Sequence, residues 1–205
     1  MRDPQKFWNK LAKRYAATPV RDEAAYREKL RRTRKYLTTQ ARVLEAGCGT
    51  GATALAHAPH AAHVEATDFA ENMIAIAEKK RAAAGIGNVT FRTAWWDELS
   101  GGYDAVLALN FFHQLPHAQA AVEHLASLVK PGGVLVASTT CIADNSAIAR
   151  KLAPVFATIG VFPQLSVFGR EEYLGWLDAA GLEIAESWQP RRLAAWFDVA
   201  RRPGP

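Results

Sequence analysis

Cysteine is scarce in this sequence: Cys48 and Cys141 are the two in 205 residues. Two thiols do not make a disulfide scaffold, and a reducing, cytoplasmic setting is expected. The N-terminal MRDPQKFWNK lacks the apolar core of a secretory leader, so none is expected. Long apolar runs are also missing. A long uncharged stretch, Leu152–Gly169, is interrupted by Pro154, Pro163, Gln164 and Ser166, which argues against a transmembrane span. Neither an internal repeat nor a low-complexity linker is visible, so residues 1–205 read as one domain with enough chain for a real core. With 49% hydrophobic and 22% charged residues, the composition is that of a globular protein.

Acidic residues are few where the chain begins. Residues 1–42 hold 13 Lys/Arg against 4 Asp/Glu, while the remainder holds 12 against 16, so the net +5 comes from a basic arm on a mildly acidic body. Such an arm is compatible with acidic substrates, a membrane surface or nucleic acid. The plainer expectation is a solvated helix face.

Within that arm, Phe7, Leu11 and Tyr15 fall at i, i+4, i+8, and Tyr26, Leu30, Thr33 and Leu37 follow a similar spacing. Thr18-Pro19 separates them, so residues 4–38 predict two amphipathic helices with basic faces outward. Their apolar faces dock on the body or fold over a ligand; residues 1–40 form an arm or lid. Strands are then expected at 42–46, 62–67, 89–93, 104–109 and 134–138, with helices at about 52–58, 71–84 and 119–129 between them. Pro131-Gly132-Gly133 is read as the stop of the last helix. This alternation predicts a parallel doubly wound sheet. Past an apolar segment, 141–168, a helix at 170–180 precedes two strands, 182–188 and 194–200, whose short connection makes them antiparallel.

The stretch RVLEAGCGTG (42–51) is the strongest local signal. Gly47, Gly49 and Gly51 allow a sharp turn and close approach of a ligand to the main chain. A helix N-terminus just beyond offers free N–H donors and a positive dipole end, so a nucleotide-like cofactor with a negative group is expected there. Gly47, Gly49 and Ala52 also satisfy G-x-G-x-x-G/A, with Asp68 some 21 residues on, as a dinucleotide site would require. The turn alone leaves the cofactor open.

VLEAGCGTG (43–51), ATDFAENM (66–73), YDAVLALNFFHQL (103–115), LVKPGGVLVAS (128–138) and FGREEYLGWLDAAGLEI (168–184) together resemble the class I S-adenosylmethionine (SAM)-dependent methyltransferases. The resemblance implies an α/β, Rossmann-like, seven-stranded sheet in the order 3-2-1-4-5-7-6 with the last strand antiparallel. It implies SAM as cofactor, with Gly47, Cys48, Gly49 and Gly51 around the methionine carboxylate. Glu45 would orient the loop and the methionine ammonium, Asp68 would accept from both ribose hydroxyls with Phe69 beside it among the cofactor-binding residues, and main-chain carbonyls near Leu109–Asn110 would meet the ammonium. The acid usual at the end of strand three is replaced by Trp95. Adenine recognition is then expected from stacking on Trp95 or Trp96, or from Asp97.

Methyl transfer to a hydroxyl benefits from a base, and His113, directly after strand four, is the candidate. Acceptor specificity is expected from the N-terminal helices and from 141–168, whose Phe156, Phe162 and Phe168 would cover a pocket for a hydrophobic molecule, with Trp8, Tyr15 and Tyr26 opposite. The leading expectation is methylation at O, N or C of a small, partly apolar metabolite. Alternatives are a nucleic-acid methyltransferase using the basic arm, though Asn110-Phe-Phe-His113 lacks the prolines of amino-methylating enzymes, and a non-catalytic SAM-binding protein. His57, His60 and His63 are spaced by three, but Pro59 spoils a shared helix face and favours a surface loop over a metal site. No metal is expected. Cys48 is read as a small buried residue and not a nucleophile.

Overall fold

A computed structural model of the protein describes residues 3–144 and 165–205. Helix α1 (Pro4–Ala17) begins at Asp3, whose side chain accepts from the amides of Gln5 and Lys6, with Pro4 at the first helical position. Helix α2 (Glu23–Arg34) is capped in the same way by Asp22 at the Ala25 amide, 3.0 Å away. The chain then alternates through β1 (Arg42–Ala46), α3 (Ala52–His57), β2 (His63–Asp68), α4 (Glu71–Ala83), β3 (Val89–Thr93), β4 (Tyr103–Leu109), α5 (Ala118–Ser127) and β5 (Val129–Thr139). Helix α6 (Arg170–Ala179) and the hairpin of β6 (Glu183–Trp188) and β7 (Trp196–Arg201) complete it.

The seven strands form one sheet in the order β3-β2-β1-β4-β5-β7-β6. β1 to β5 are mutually parallel, and β7 runs antiparallel to both of its neighbours, as expected. Strand alternation sorts the core into two layers. Leu44, Val106, Ala108 and Leu135 face α5 and α6, while Val43, Ala105, Leu107 and Val136 face the side of α3 and α4. That double burial explains the uninterrupted apolar run of β4.

Two boundaries differ from expectation. Val129 belongs to β5 and not to the preceding helix: it pairs with Tyr103, and the next paired residue is Val134 opposite Ala105. Pro131-Gly132-Gly133 is thus a bulge inside the strand. Gly133 fits there because a Cβ would lie 2.8 Å from the Asp104 carbonyl oxygen. The second difference concerns the arm, whose basic faces are not simply outward. Arg32 is partly buried, bonded to Glu28 and Glu186 and stacked over Trp188 at 4.7 Å, and Lys29 turns inward to Ser138. Of the 141–168 segment, residues 145–164, with Phe156 and Phe162, lie outside the described residues. Phe168 is core, packed on Tyr173 and Trp176, and does not cover a pocket.

Candidate active site

The carboxyl ends of β1, β2 and β4 converge beneath α1 and α2. After β1 the chain needs a tight reversal into α3, and Gly47, Gly49 and Gly51 supply it with φ of 70°, 53° and 78°. Two of these glycines are also sterically required. A Cβ on Gly51 would lie 2.5 Å from the Phe91 ring and 2.8 Å from Ala77, and one on Gly47 would lie 2.4 Å from Phe111. Asp68, at the end of β2, ties the loop down: one carboxylate oxygen accepts from Gly49 N at 3.0 Å and the other from Ala70 N at 2.9 Å. Each oxygen keeps a lone pair for a further donor.

Glu45 lies under the loop. It is 3% exposed, its Oε2 has no hydrogen-bond partner among the described residues, and burial with the nearby Asp68 charge raises its pKa to about 8, against a smaller opposing effect of the Ala54 amide. A buried carboxyl oxygen without a donor fits a ligand that brings a cationic group. Asn110, at φ 54°, turns the chain after β4 and accepts from Ser138 Oγ at 3.3 Å.

Among the described residues, a cavity of about 790 Å³ is walled by Glu45, Gly47, Cys48, Gly49, Leu109 and Asn110 on the sheet side. Tyr15, Tyr26 and Lys29 wall it from the helices, and Pro190, Arg191 and Ala195 from the β6–β7 connection. Tyr26 also meets Thr53 at 3.3 Å. The arm is fastened over this space: Gln5 Nε2 donates to Phe69 O at 2.9 Å, and Asn9 Oδ1 accepts from Asn72 N at 2.8 Å at the start of α4. Cys48 is buried with its thiol pKa pushed up, chiefly by desolvation, so it is no nucleophile.

A second, narrow cleft is lined by Asp68, Phe69, Ala94, Trp96, Phe111 and Leu115. Trp96 thus faces the site. Trp95 does not line it but stacks on Phe69, rings 4.5 Å apart and 13° from parallel. Asp97 sits exposed in the turn Trp96–Glu98 and lines neither space.

His113 has a different setting from the one its sequence position suggested. Its Nδ1 accepts the Thr140 amide at 3.4 Å and lies 3.3 Å from Thr139 Oγ1, and the residue does not line the cavity. Burial and the Lys29 charge push its pKa down to about 4, so it is neutral at pH 7. With Nδ1 as acceptor, the proton sits on Nε2, and the free lone pair a base needs is engaged. His57 is no surface residue either: it is fully buried at the end of α3, and neither ring nitrogen has a partner among the described residues. No cluster of three metal-ligating side chains occurs among the described residues, and none of their helices is long and apolar enough to cross a membrane.

Lys29 is the site residue the helical spacing concealed. It falls three residues after Tyr26, on the border between the apolar stripe and the basic face, and nothing in the pattern marks it as inward. Its Nζ donates to Ser138 Oγ at 2.6 Å, and desolvation lowers its pKa to about 8.

The sheet order, the glycine loop over a buried acid and the acid at the end of β2 define a Rossmann-like nucleotide-cofactor enzyme. A family profile described as a methyltransferase domain matches residues 19–187. The chain belongs to that family, within the class I SAM-dependent methyltransferases, and its cofactor is SAM. It is 32% identical over 161 residues to the ubiquinone biosynthesis O-methyltransferase of Xylella fastidiosa strain 9a5c, covering 77% of this chain and 58% of that protein. This chain therefore spans less than two thirds of that relative. Among solved structures, magnesium protoporphyrin IX methyltransferase from Synechocystis PCC 6803 with bound SAH aligns at TM-score 0.74 and 22% identity, over 97% of this chain and 95% of that one. A chain of the complex between the Haloferax volcanii Trm112 methyltransferase activator and a methyltransferase aligns at TM-score 0.78 and 15% identity, over 99% of each. At these identities the structural likeness is one of fold.

Proposed function

We propose that this domain moves the methyl group of SAM to an oxygen atom of a small, partly apolar acceptor held beside Lys29. The observation that carries the reading is that one cavity is shared by the cofactor loop and by a separate set of walls, Tyr26, Lys29, Pro190 and Ala195, with room for a second molecule. The name of the Xylella relative, an O-methyltransferase, supports oxygen as the atom.

The residues present fit the cofactor, because the donorless Glu45 oxygen and the glycine turn suit an ammonium and a carboxylate side by side. Glu45 and the Asn110 carbonyl side would hold the ammonium; Gly47, Cys48, Gly49 and Gly51 would hold the carboxylate. Asp68 would take the ribose hydroxyls, and Phe69, Trp96 and Phe111 would enclose the adenine, with Trp95 buttressing Phe69 and Asp97 left outside. When bound, SAM supplies a methyl group on a sulfonium that leaves as a neutral thioether. The protein's task is then to align the acceptor atom and exclude water. α1 and α2 cover the site for that purpose, with Tyr15 over Gly49.

Titration calorimetry with SAM and its demethylated product SAH, followed by methyl transfer from labelled SAM to a panel of small phenols and carboxylic acids, tests this. Binding and transfer to small acceptors are expected. Absence of binding to either ligand overturns the reading, and transfer confined to RNA or DNA replaces the acceptor class.

A further inference from the structure

Lys29 presents a cation to the acceptor side of the cavity and forms no ion pair among the described residues. Its ammonium has three donors, and one is used, on the neutral Ser138 hydroxyl. Ser138 in turn donates a hydrogen bond to Asn110 Oδ1, so the chain Lys29–Ser138–Asn110 ends on an amide and not on a carboxylate. Asp22 lines the same cavity and acts on Lys29 through space, but it makes no direct contact with the ammonium, and one of its oxygens caps α2 at the Ala25 amide. Arg191 lines the same cavity from the β6–β7 connection and, like Lys29, forms no ion pair among the described residues. The other cations of α2 are used differently: Arg27 pairs with Glu23, Arg31 and Arg32 bond to Glu28, Arg32 also bonds to Glu186, and Arg34 donates to the Ala56 carbonyl. Lys29 is thus the α2 cation left facing the acceptor.

On the other side of the balance, the side chain placed to act as base is not free to do so. His113 has its Nδ1 on the Thr140 amide and stands outside the cavity wall. A cavity with this ammonium and no histidine among its described lining residues suits an acceptor that needs no deprotonation.

We propose that the methyl acceptor is an oxygen acid already ionised at neutral pH, a carboxylate or an acidic phenol, and that Lys29 Nζ binds the oxyanion that is methylated. The inference rests on the methyltransferase reading above and deepens it. An oxygen lone pair of the acceptor forms the new O–CH3 bond as the S–CH3 bond breaks, and that bonding pair leaves with sulfur. An anion and a sulfonium become a neutral ester or ether and a neutral thioether, with no proton transferred. The product no longer attracts Lys29, which favours its release over the substrate's.

The test uses the full chain with saturating SAH, and benzoate and 4-nitrophenolate as probes against their neutral counterparts benzamide and nitrobenzene. Affinities are read by ligand-observed NMR. The wild type is expected to favour each anion by about tenfold or more, as a charge-assisted contact does. K29Q keeps a hydrogen-bond donor towards Ser138 and removes the charge; its preference should fall to near unity while SAH affinity holds, and K29R should retain part of it. A merely structural Lys29 would instead lower the melting temperature in K29Q and leave the preference intact. Wild type without anion preference, or K29Q with it, overturns the proposal, and the wild-type arm decides even where K29Q folds poorly. Benzoate outranking 4-nitrophenolate points to carboxylates, and the reverse to phenols. Failure of the wild type to bind SAH at all would instead overturn the methyltransferase reading beneath it.

Discussion

A carboxyl group buried under the glycine loop, with one oxygen lacking any donor, is held up to about 8 by desolvation, so Glu45 is mostly protonated at pH 7 without a ligand. An ammonium beside it favours the ionised form. Cofactor binding should therefore release a proton, and SAH affinity should rise by up to about tenfold per pH unit between pH 6 and 7.5. Calorimetry across that range, repeated in buffers of different ionisation enthalpy, measures both; E45Q should flatten the profile. Asp68 differs, since both of its oxygens are already bonded to backbone amides. On the proposed reading, Asp68→Ala removes the ribose contacts and frees Gly49 N together, and should weaken SAH binding by about 100-fold or more with a native circular dichroism spectrum. Unchanged affinity would contradict the assignment.

Elements, and not only residues, shape the acceptor side. α2 is held against the sheet at two points, Lys29 on Ser138 of β5 and Arg32 with Lys35 and Tyr36 on Glu186 of β6. Glu186→Ala leaves Arg32 partly buried without its β6 partner. It should cost about 1 kcal/mol and raise the acceptor KM more than the SAM KM, because α2 borders the acceptor space and the glycine loop does not depend on it. Steady-state kinetics with each substrate varied checks this. At the turn into α3, Gly51→Ala forces a Cβ into Phe91 and Ala77 at a positive φ. A loss of about 2–4 kcal/mol is expected by chemical denaturation.

For the molecule as a whole, stability against pH is set by groups that fold in the wrong ionisation state for water. His57 is fully buried without a partner, and its pKa falls to about 4, chiefly through desolvation with Arg34 and His60 adding. The unfolded chain takes up the proton near the ordinary 6.5 and the folded chain does not. Stability is therefore lost as pH falls from about 6.5 towards 4, by about 2 kcal/mol between pH 7 and 5. His113 acts in the same direction, whereas Glu45, with its raised pKa, gains relative stability on acidification. Urea denaturation of the wild type and of His57→Leu at pH 7 and 5 separates these contributions, since the difference between the two slopes isolates His57. Equal slopes would show that His57 does not titrate on unfolding.

By itself the sequence determined the fold and the glycine loop with Asp68 beside it. The alternation of strand and helix periods and the short β6–β7 connection are local facts of hydrophobic spacing and chain length, and the loop from Glu45 to Gly51 is one contiguous stretch whose backbone demands are written in its glycines. Asp68 follows because it ends the next strand. Tertiary structure alone decided the rest. Lys29 looked like one more residue of a basic helix face, and only the docking of α2 on β5 and β6 turned it towards Ser138. His113 was in the right place along the chain, yet the Thr140 amide just past the end of β5 occupies its lone pair. His57 looked like a loop residue, and packing buried it. Trp95 and Trp96 were indistinguishable until the turn after β3 stacked one on Phe69 and aimed the other into the cleft. Contacts between residues far apart in the chain leave no period in the sequence, and the acceptor side of this site is built almost entirely from such contacts.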